Sequence, residues 1–394
     1  MVDTLPPLSL YIHTPWCVRK CPYCDFNSHE PGTHGFTPRD LPEAAYLDAL
    51  LQDLDSDLAL AAGRKIQTIF IGGGTPSLLS PWFYERLLSE IEARLPFADD
   101  IEITLEANPG TTEQARFIGY RKAGINRLSL GIQSFQPGQL HALGRIHSGD
   151  EAVTAVTQAR QAGFTNINVD LMHGLPGQTP QLAMDDIAQA LSLAPEHLSW
   201  YQLTLEPNTA FHSHPPTLPE EEALWDIQDS GHQLLEQAGF KRYEISAYTT
   251  DGYRSLHNLN YWQFGDYLGI GAGAHGKLSH IDPNGEWRIE RRWKTRQPDA
   301  YLKRMDDLRG FIAGKQVISA DELPLEFAMN ALRLTDGVSL GIWKANTGLS
   351  SDMLLTRLQT AEKKGLLMQM PEKLRASPQG LLFLNELLAL ISED

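Results

Sequence analysis

Short apolar stretches alternate with amphipathic stretches along the first 250 residues of the chain. Alternating or wholly apolar segments predict strands at Leu8–His13, Thr68–Gly72, Glu102–Glu106, Arg127–Ile132, Asn166–Met172, Leu198–Thr204 and Tyr243–Ala247. Apolar residues spaced three and four positions apart predict helices between them, at Glu43–Ala61, Trp82–Arg94, Thr112–Ala123, Glu151–Ala162, Gln181–Leu193 and Glu220–Ala238. Several of these segments are followed by glycine, which helix C-termini prefer. Strands separated by helices predict an α/β fold whose parallel sheet is closed or partly closed into a barrel.

The pattern changes after residue 248. Residues 251–297 are rich in Gly, His, Tyr and Trp and show no clear helix, whereas helical periodicity returns at Leu323 and continues to Leu381–Ile391. We therefore predict three parts: a barrel over residues 1–250, an extension over residues 251–300 and a small accessory domain over residues 301–394. The accessory domain is expected to be mainly helical, like a winged helix.

The chain contains only three cysteines, Cys17, Cys21 and Cys24, in a C-x3-C-x2-C arrangement. Three thiolates on one loop, without a fourth, suit a [4Fe-4S] cluster that keeps one iron open. A structural zinc site normally has four protein ligands, and here it would need a histidine such as His13 or His29. An odd number of cysteines makes a disulfide framework the least favoured alternative.

Composition narrows the classes of partner and compartment. The chain has 33 Lys and Arg residues against 49 Asp and Glu residues, a formal net charge of −16. This balance argues against a general nucleic-acid-binding protein, which needs a basic face for phosphates. We expect no transmembrane helix, because no run of about 18 apolar residues is present. The segment Met1–Pro7 lacks the features of a signal peptide, and a cluster needs reducing conditions, so the cytoplasm is predicted.

The cysteine loop directly follows the apolar strand Leu8–Ile12 and resembles the signature of the radical S-adenosylmethionine (SAM) superfamily. That resemblance implies a partial (β/α)6 barrel of the TIM type, with functional residues at the C-terminal ends of the strands. It also implies that the open iron chelates the amino and carboxylate groups of SAM. An electron from the cluster then cleaves SAM to methionine and a 5'-deoxyadenosyl radical, so the cofactor carries the difficult chemistry.

The resemblance implies a set of SAM-binding residues at the strand ends and around the cysteine loop: Tyr11, Tyr23, Gly73, Gly74, Thr75, Glu106, Gln133, Arg145 and Asp170. Each has a plainer explanation. The glycines could form an ordinary tight turn between strand and helix, and the tyrosines could be packing residues. Arg145 is expected to neutralise a carboxylate but could be a solvated charge. Asp170 lies in an almost wholly apolar strand, where a carboxylate is costly unless it is paired or bound to a ligand.

Two further segments, Gly131–Phe135 and Leu143–His147, resemble motifs of the oxygen-independent coproporphyrinogen III oxidase group. Within that group the chain is most similar to the haem-chaperone subgroup. The oxidases carry a further cysteine two residues after the third ligand, where this chain has Phe26, and they have a longer N-terminal segment. Both departures argue against oxidase activity.

The sequence His257-Asn-Leu-Asn-Tyr261 matches the H-N-x-x-Y motif of the haem-binding subgroup. Imidazole is a common axial ligand of haem, so His257 and Tyr261 are predicted to bind haem, although they could also be a loop cap and a core residue. A basic run is a second hypothesis, for pairing with haem propionates or as a solvated strand edge: Arg288, Arg291, Arg292, Lys294 and Arg296. The glycine-rich segment Gly269–Gly276 is interpreted as a loop near the barrel mouth, and His275 is given no role.

The resemblance leaves two main hypotheses for function. The first is a haem carrier that holds a [4Fe-4S] cluster and SAM and passes haem to respiratory haem proteins. The second is an enzyme that oxidatively decarboxylates coproporphyrinogen III, and a weaker third is a radical SAM enzyme acting on another tetrapyrrole. Phe26 and His257 favour the carrier. A homodimer is left open, and membrane contact is expected only through partner proteins.

Overall fold

The computed structural model describes residues 5–38, 40–110, 116–282, 284–370 and 372–393, and it has the α/β fold that the sequence predicts. The strands are β1 Leu8–Thr14, β2 Ile66–Gly73, β3 Phe97–Ala107, β4 Arg127–Gln133, β5 Ile167–His173, β6 His197–Gln202, β7 Lys241–Glu244, β8 Ala247–Thr249, β9 Asp266–Ile270, β10 His275–Ile281, β11 Trp287–Lys294, β12 Ile312–Val317, β13 Val338–Ser339 and β14 Lys373–Leu374. The α-helices are α1 Glu43–Ala61, α2 Pro81–Arg94, α3 Phe117–Lys122, α4 Pro137–Ala142, α5 Gly149–Gln161, α6 Pro180–Ser192, α7 Ala210–Ser213, α8 Glu221–Gln237, α9 Leu256–Trp262, α10 Pro298–Leu302, α11 Leu323–Ala331, α12 Leu340–Thr347, α13 Ser351–Lys363, α14 Pro378–Leu382 and α15 Leu384–Glu393.

One twelve-stranded sheet forms both the barrel and its extension, in the order β12-β11-β10-β9-β1-β2-β3-β4-β5-β6-β8-β7. Strands β1 to β6 are parallel in chain order, and β9 adds a further parallel strand beside β1. The remaining strands pair antiparallel at the two ends of the sheet. Because the order begins at β12 and ends at β7, the barrel is partial, as predicted.

The two faces of the barrel strands differ in polarity. One face consists of buried apolar residues such as Leu10, Ile69 and Leu130, which pack with the helices in the main hydrophobic core. The other face, here called the inner face, is polar toward the N-terminal ends of the strands, here called the lower end of the barrel. Six residues follow one another around the sheet there: Ser9, Thr68, Glu102, Arg127, Asn168 and His197. Successive side chains of each strand therefore alternate between the apolar face, which packs against the helices, and the polar inner face.

One predicted strand is wrong. Residues 243–247 do not form a single strand, because Ile245 and Ser246 make a turn that joins β7 to β8. The guanidinium of Arg242 donates to the Ile245 carbonyl, and the Ser246 N–H donates to the Glu244 carboxylate at 3.0 Å. These side chains build the turn without glycine, proline or asparagine, so the usual turn signal is missing.

The extension is also more regular than its composition suggests. Residues 251–297 contain helix α9 and strands β9 to β11, which corrects the expectation that this part has no clear helix. Ser255 begins α9 as its N-cap, with a side chain that accepts from Asn258 N. The glycine-rich segment Gly269–Gly276 is the end of β9, a turn and the start of β10.

The remaining helices follow the predicted pattern. The start of the predicted helix Thr112–Ala123 lies outside the described residues, and α3 forms its later part. Beyond β12, helices α11 to α15 and the antiparallel pair β13–β14 enclose a second core around Phe327 and Trp343, so the accessory part is mainly helical, as predicted. Among the described residues, no helix combines the length and the apolar character that crossing a bilayer requires.

Candidate cofactor site at the carboxyl ends of the strands

The cysteine loop leaves the end of β1 and is closed by backbone hydrogen bonds. Cys17 N donates to His29 O at 3.0 Å, and His29 N donates back to Pro15 O at 2.7 Å. The loop between these residues carries all three cysteines, each of them a partly exposed free thiol. The structure therefore holds the predicted ligands together on one short, anchored loop.

Polar groups from outside the loop contact two of the three sulfurs. Thr75 Oγ1 lies 3.0 Å from Cys17 Sγ, and the Arg145 guanidinium donates to Cys21 Sγ at 3.8 Å. Burial raises the pKa of the Cys17 thiol to about 11, and it also raises the pKa of Cys24. The Cys17 and Cys24 thiols are thus protonated when no metal is bound, and metal binding would release their protons.

The glycine turn after β2 lies directly against the cysteine loop. Gly74 N donates to Thr14 O and Thr75 N donates to Trp16 O, each at 2.7 Å. A Cβ at Gly74 would lie 2.7 Å from the Trp16 carbonyl carbon, closer than real side chains come. Gly73 has a φ of +120°, a conformation that L residues rarely adopt. The predicted residues Gly73, Gly74 and Thr75 therefore fix the distance between β2 and the cluster loop.

Glu106 is a half-buried residue at the end of β3 without a cationic partner among the described residues. Its Oε2 accepts a hydrogen bond from Gly73 N at 3.2 Å. Desolvation, followed by repulsion from Asp170, raises the pKa of Glu106 to about 8. Two carboxyls therefore share one part of the inner face, which favours a ligand that brings positive charge.

Asp170 is oriented by hydrogen bonds rather than by the salt bridge that was one of its plainer explanations. Ser129 Oγ donates to Asp170 Oδ2 at 2.8 Å, and Asn168 Nδ2 donates to Oδ1 at 2.8 Å. Burial nevertheless raises the pKa of Asp170. The carboxylate is held in one orientation, and no cation from the described part of the chain contacts it directly.

A series of hydrogen bonds through His197 and Tyr243 fixes the side chain of Asn168. His197 Nδ1 lies 2.6 Å from Asn168 Oδ1, and His197 Nε2 lies 2.8 Å from the Tyr243 hydroxyl. Because the Asn168 amide oxygen can only accept, the imidazole proton lies on Nδ1, and Nε2 accepts from the Tyr243 hydroxyl, which itself accepts from Ser255 N at 3.3 Å. Burial holds the pKa of His197 well below its usual range, so the ring is neutral. The start of α9 is therefore linked to Asp170 through side chains.

Arg145 reaches the site from the loop after α4. It donates to Gly131 O at 2.5 Å and to Asn108 Oδ1 at 2.6 Å, and its Nε is buried without a protein partner. No carboxylate pairs with Arg145 among the described residues, so its predicted role as a carboxylate partner would fall to a ligand. Asn108 also donates to Thr75 Oγ1 at 3.0 Å. Sequence reasoning missed Asn108, although it lies only two residues after the predicted Glu106.

The other residues predicted to bind SAM lie near the same carboxyls and the cysteine loop. Gln133 has a left-handed φ of +69° at the end of β4, and its Oε1 accepts from the Tyr201 hydroxyl at 2.8 Å. Tyr11 stacks on Phe70 at a ring distance of 6.4 Å, with its hydroxyl 2.9 Å from His13 Nδ1. Tyr23 lies close enough to Arg145 and Cys21 for their charges to act on it. Tyr201 was not predicted, although it lies in a predicted strand.

His257 and Tyr261 do not lie at the carboxyl ends of the strands with the residues above. They close the opposite, lower end of the barrel. His257 is 0% exposed, with Nδ1 2.8 Å from Thr68 Oγ1 and Nε2 2.9 Å from the Tyr261 hydroxyl. Both ring nitrogens are committed, and burial lowers the pKa of His257 to about 3. In this conformation His257 cannot ligate haem iron, which argues against its predicted role.

The basic run is largely neutralised within the chain. Arg291 pairs with Glu326, Arg292 pairs with Asp57 at 3.2 Å, and the buried Lys294 pairs with Asp53 and with Asp57. Arg288 pairs with Asp282 at 3.1 Å. Arg296 is exposed, and it is the member of the run without an ion pair among the described residues. A propionate site formed by the whole run is therefore not supported by this geometry.

The donor set fits the cofactors that the resemblance implies. Among the described residues, no three His, Cys, Asp or Glu side chains converge closely enough to hold a single metal ion. The three thiols on one loop fit a four-iron cluster, which presents separate irons to separate sulfurs. The half-buried Glu106 and Asp170 suit the positively charged groups of SAM.

Comparisons with known proteins agree with this arrangement. Residues 11–190 match the radical SAM superfamily, and residues 318–383 match the HemN C-terminal domain. Over 391 residues the chain is 51% identical to "Heme chaperone HemW" of Escherichia coli (strain K12), with 98% of each chain covered. It is 34% identical to a mitochondrial protein of Bos taurus, "Radical S-adenosyl methionine domain-containing protein 1", covering 96% of this chain and 86% of that protein.

A solved structure shares the whole fold. Coproporphyrinogen III oxidase (HemN) from Escherichia coli aligns with a TM-score of 0.79 at 23% identity, covering 98% of this chain and 90% of that chain. At that identity the match shows the fold alone. The full-length relatives and the two matched domains show the family: the chain belongs to the HemW family of radical SAM proteins.

Proposed function

We propose that the chain is a cytoplasmic haem chaperone, which binds haem and passes it to respiratory haem proteins. The observation that carries this proposal is its 51% identity to "Heme chaperone HemW" over 98% of both chains. The similarity spans the barrel, the extension and the helical accessory part together, so it is not limited to the shared radical SAM core. The domain limits at residues 250 and 300 stay a prediction, because β9 to β12 continue the barrel sheet.

Cys17, Cys21 and Cys24 would hold the [4Fe-4S] cluster, which supplies one-electron chemistry when it is bound. The chain's own contribution is electrostatic and geometric. Arg145 approaches Cys21 and Thr75 approaches Cys17, so a cation and a hydroxyl donor offset the negative charge of the ligating sulfurs. The glycine turn at Gly73 and Gly74 keeps these groups close to the loop.

SAM would bind at the carboxyl ends of the strands, beside the cysteine loop. Glu106 and Asp170 offer carboxyls to its positive groups, while Gly73, Gly74 and Thr75 allow close approach of the backbone. Tyr11, Tyr23, Gln133 and Arg145 line the remaining sides. This assignment is supported by the shared pKa shift of the two carboxyls, which a bound cation would relieve.

The oxidase hypothesis is supported by fold likeness alone. Phe26 is 56% exposed at the position where the oxidase group has a further cysteine, so no thiol is available there. A chaperone also needs no residue that turns over a substrate. The two functions therefore make opposite predictions for the same preparation.

The deciding experiment incubates reconstituted protein under anaerobic conditions with SAM, a reductant and coproporphyrinogen III. We expect no protoporphyrinogen IX by mass spectrometry, while a genuine oxidase forms it in parallel. The same preparation, loaded with haem, is then mixed with a haem-free respiratory haem protein, and haem transfer is followed by absorbance. Product formation at the oxidase rate, or failure of haem to bind or transfer, would contradict the proposal.

A further inference from the structure

The end of helix α9 forms one wall of a small cavity between the extension and the accessory part. The cavity has a volume of about 160 Å³ and lies between α9, strands β9 to β11 and helix α11. Most of the residues that line it are partly exposed, so a ligand can enter from solvent. It is separate from the candidate cofactor site, because its lining shares no residue with the set predicted to bind SAM.

Aromatic rings make up much of the cavity wall. Tyr261 and Tyr267 meet edge to face with their ring centroids 4.5 Å apart, and the Trp262 ring lies 6.5 Å from that of Tyr261. Phe264 is buried, with Lys277 Nζ 4.2 Å from the centre of its ring. Such walls suit an apolar arm or the edge of a conjugated ring system, with a few polar groups to orient it.

The two cations of the cavity are already paired with carboxylates. Lys277 Nζ lies 3.2 Å from Asp266 Oδ1 and donates to Phe264 O at 3.2 Å. The Nη2 group of Arg291 pairs with Glu326 of α11. Lys277 is therefore committed within the chain, whereas Arg291 uses only part of its planar set of N–H groups for this pair.

Two residues of the cavity wall keep a buried N–H group that lacks an acceptor. Neither Arg291 Nε nor Trp262 Nε1 has a hydrogen-bond partner among the described residues. A buried donor is rarely left unpaired, because its lost hydration costs about 1 to 3 kcal/mol. Two such donors on one small cavity indicate an acceptor that comes from outside the chain.

Arg333 adds to the surplus of donors behind Trp262. Its guanidinium carbon lies 4.3 Å from the centre of the Trp262 ring, and its Nε is likewise buried without an acceptor in the described part of the chain. The Arg333 charge is paired with Glu244 at 3.2 Å. What this region lacks is therefore a hydrogen-bond acceptor, and a charged acceptor makes the stronger bonds with such donors.

The size of the cavity limits what can supply that acceptor. A water molecule takes up about 30 Å³ in the liquid, so the volume corresponds to a few waters or to one short side arm of a larger ligand. A whole porphyrin is too large to enter. A propionate, which is two methylene groups and a carboxylate, is of the right size and brings two acceptor oxygens for two N–H groups.

We propose that this cavity receives a propionate of the haem that the chain carries, with Arg291 Nε and Trp262 Nε1 donating to its carboxylate oxygens. The aromatic residues then contact the methylene arm and the adjacent porphyrin edge. The assignment rests on the proposed haem-chaperone function and deepens it. It keeps the haem beside α9, the helix that carries the H-N-x-x-Y segment, and it uses one member of the basic run.

The test titrates the full chain with haem and, under the same solvent conditions, with haem dimethyl ester, whose side arms carry no charge. Trp262→Phe removes the indole N–H and keeps an aromatic ring, and Arg291→Lys removes Nε and keeps a cation for Glu326. We expect each variant to weaken the affinity for haem about fivefold or more, because a hydrogen bond to a charged group is lost. Their affinity for the ester should stay within about twofold of that of the unaltered chain.

Trp287→Phe is the matched control, because Trp287 Nε1 is also buried without an acceptor among the described residues but does not line the cavity. Its haem affinity should equal that of the unaltered chain. Unchanged haem affinity in either cavity variant would overturn the assignment and leave the chaperone function intact. Equal weakening for haem and for the ester would also overturn it, since the side chains would then not act on the carboxylate. Failure of the unaltered chain to bind haem would overturn the proposed function and the assignment together.

Discussion

The carboxylate of Glu102 accepts a hydrogen bond from the backbone N–H of His257 at 3.1 Å. The same carboxylate accepts from Leu256 N at 3.2 Å, so β3 holds the first turn of α9 against the lower end of the barrel. The His257 ring then contacts Thr68 and stacks near Phe70 at 5.2 Å. The H-N-x-x-Y segment therefore closes the lower end of the barrel, here called its floor.

We expect His257→Ala to lower the free energy of unfolding by about 2 to 4 kcal/mol, because it leaves a cavity and unpaired polar groups on Thr68 and Tyr261. Chemical denaturation followed by circular dichroism measures this change. His280→Ala provides the control, with an expected change of roughly 0.5 kcal/mol or less. Loss of haem binding by a His257→Ala variant of unaltered stability would contradict the conclusion that His257 mainly stabilises the barrel floor.

Gly74 makes a second prediction, because it touches the cysteine loop. Gly74→Ala should push β2 away from Trp16, lower the free energy of unfolding by about 1 to 3 kcal/mol and reduce the iron bound per chain after reconstitution. Iron and sulfide analysis with the absorbance of the cluster measures the second effect.

Gly138→Ala is the matched control for this change, since a Cβ at Gly138, in α4, meets nothing within 4 Å. It should leave cluster content unchanged, and alanine should stabilise the helix by about 0.5 to 1 kcal/mol. Equal cluster content in both glycine variants would show that the contact at Gly74 does not position the loop.

Glu106 gives a pH-dependent prediction. Folding raises the pKa of Glu106 from its ordinary value of 4.5 to about 8, so the folded chain binds more protons than the unfolded chain between these values. Its contribution to the free energy of unfolding is therefore lost as the pH rises through that window. Glu106→Gln should be more stable than the unaltered chain at about pH 8, by on the order of 1 to 3 kcal/mol, and similar to it near pH 4 to 5.

Urea denaturation at several pH values, without SAM, measures this difference. Glu92→Gln changes an exposed carboxyl on α2 and should show no such trend. A difference between Glu106→Gln and the unaltered chain that stayed constant with pH would mean that the carboxyl does not titrate as described.

Lys294 supports the extension through a buried charge cluster. It pairs with Asp53 and Asp57 of α1, and Asp53 also accepts from Gly271 N at 3.1 Å and from the Tyr301 hydroxyl at 2.7 Å. Lys294→Met leaves the buried Asp53 carboxylate without its cation and leaves Asp57 with Arg292 alone, so we expect a loss of about 3 to 5 kcal/mol in the free energy of unfolding. Thermal and chemical denaturation measure it.

Lys65→Met is the control for Lys294→Met, because Lys65 and Asp99 form an exposed pair at 3.2 Å. Its loss should cost roughly 0.5 kcal/mol or less. Similar losses in the two variants would contradict the view that the buried cluster anchors the extension.

Sequence reasoning located the parts of the site that depend on local order. The topology brings together the loop that carries Cys17, Cys21 and Cys24 and the parallel strands that carry Glu106 and Asp170. Parallel strands of known order place their residues predictably, which is why the fold and most of the candidate site follow from the pattern.

The parts that sequence reasoning missed depend on contacts between distant segments. His257 is buried by Thr68 and Glu102, which no local pattern connects to it. Strand β11 carries several charges because Asp57 and Glu326 neutralise Arg292 and Arg291 from other elements, so its sequence does not look like a strand within a sheet.

The position of β1 between β2 and β9 has a consequence for protein synthesis. The strand that leads into the cysteine loop receives its second neighbour roughly 250 residues later, and the helix that closes the floor emerges at nearly the same time. At a ribosomal rate of roughly 5 to 20 residues per second, the first strand waits for tens of seconds before its pairing is complete. Iron delivered to the nascent chain would therefore meet an unfinished barrel, and stable cluster insertion should follow release of most of the polypeptide.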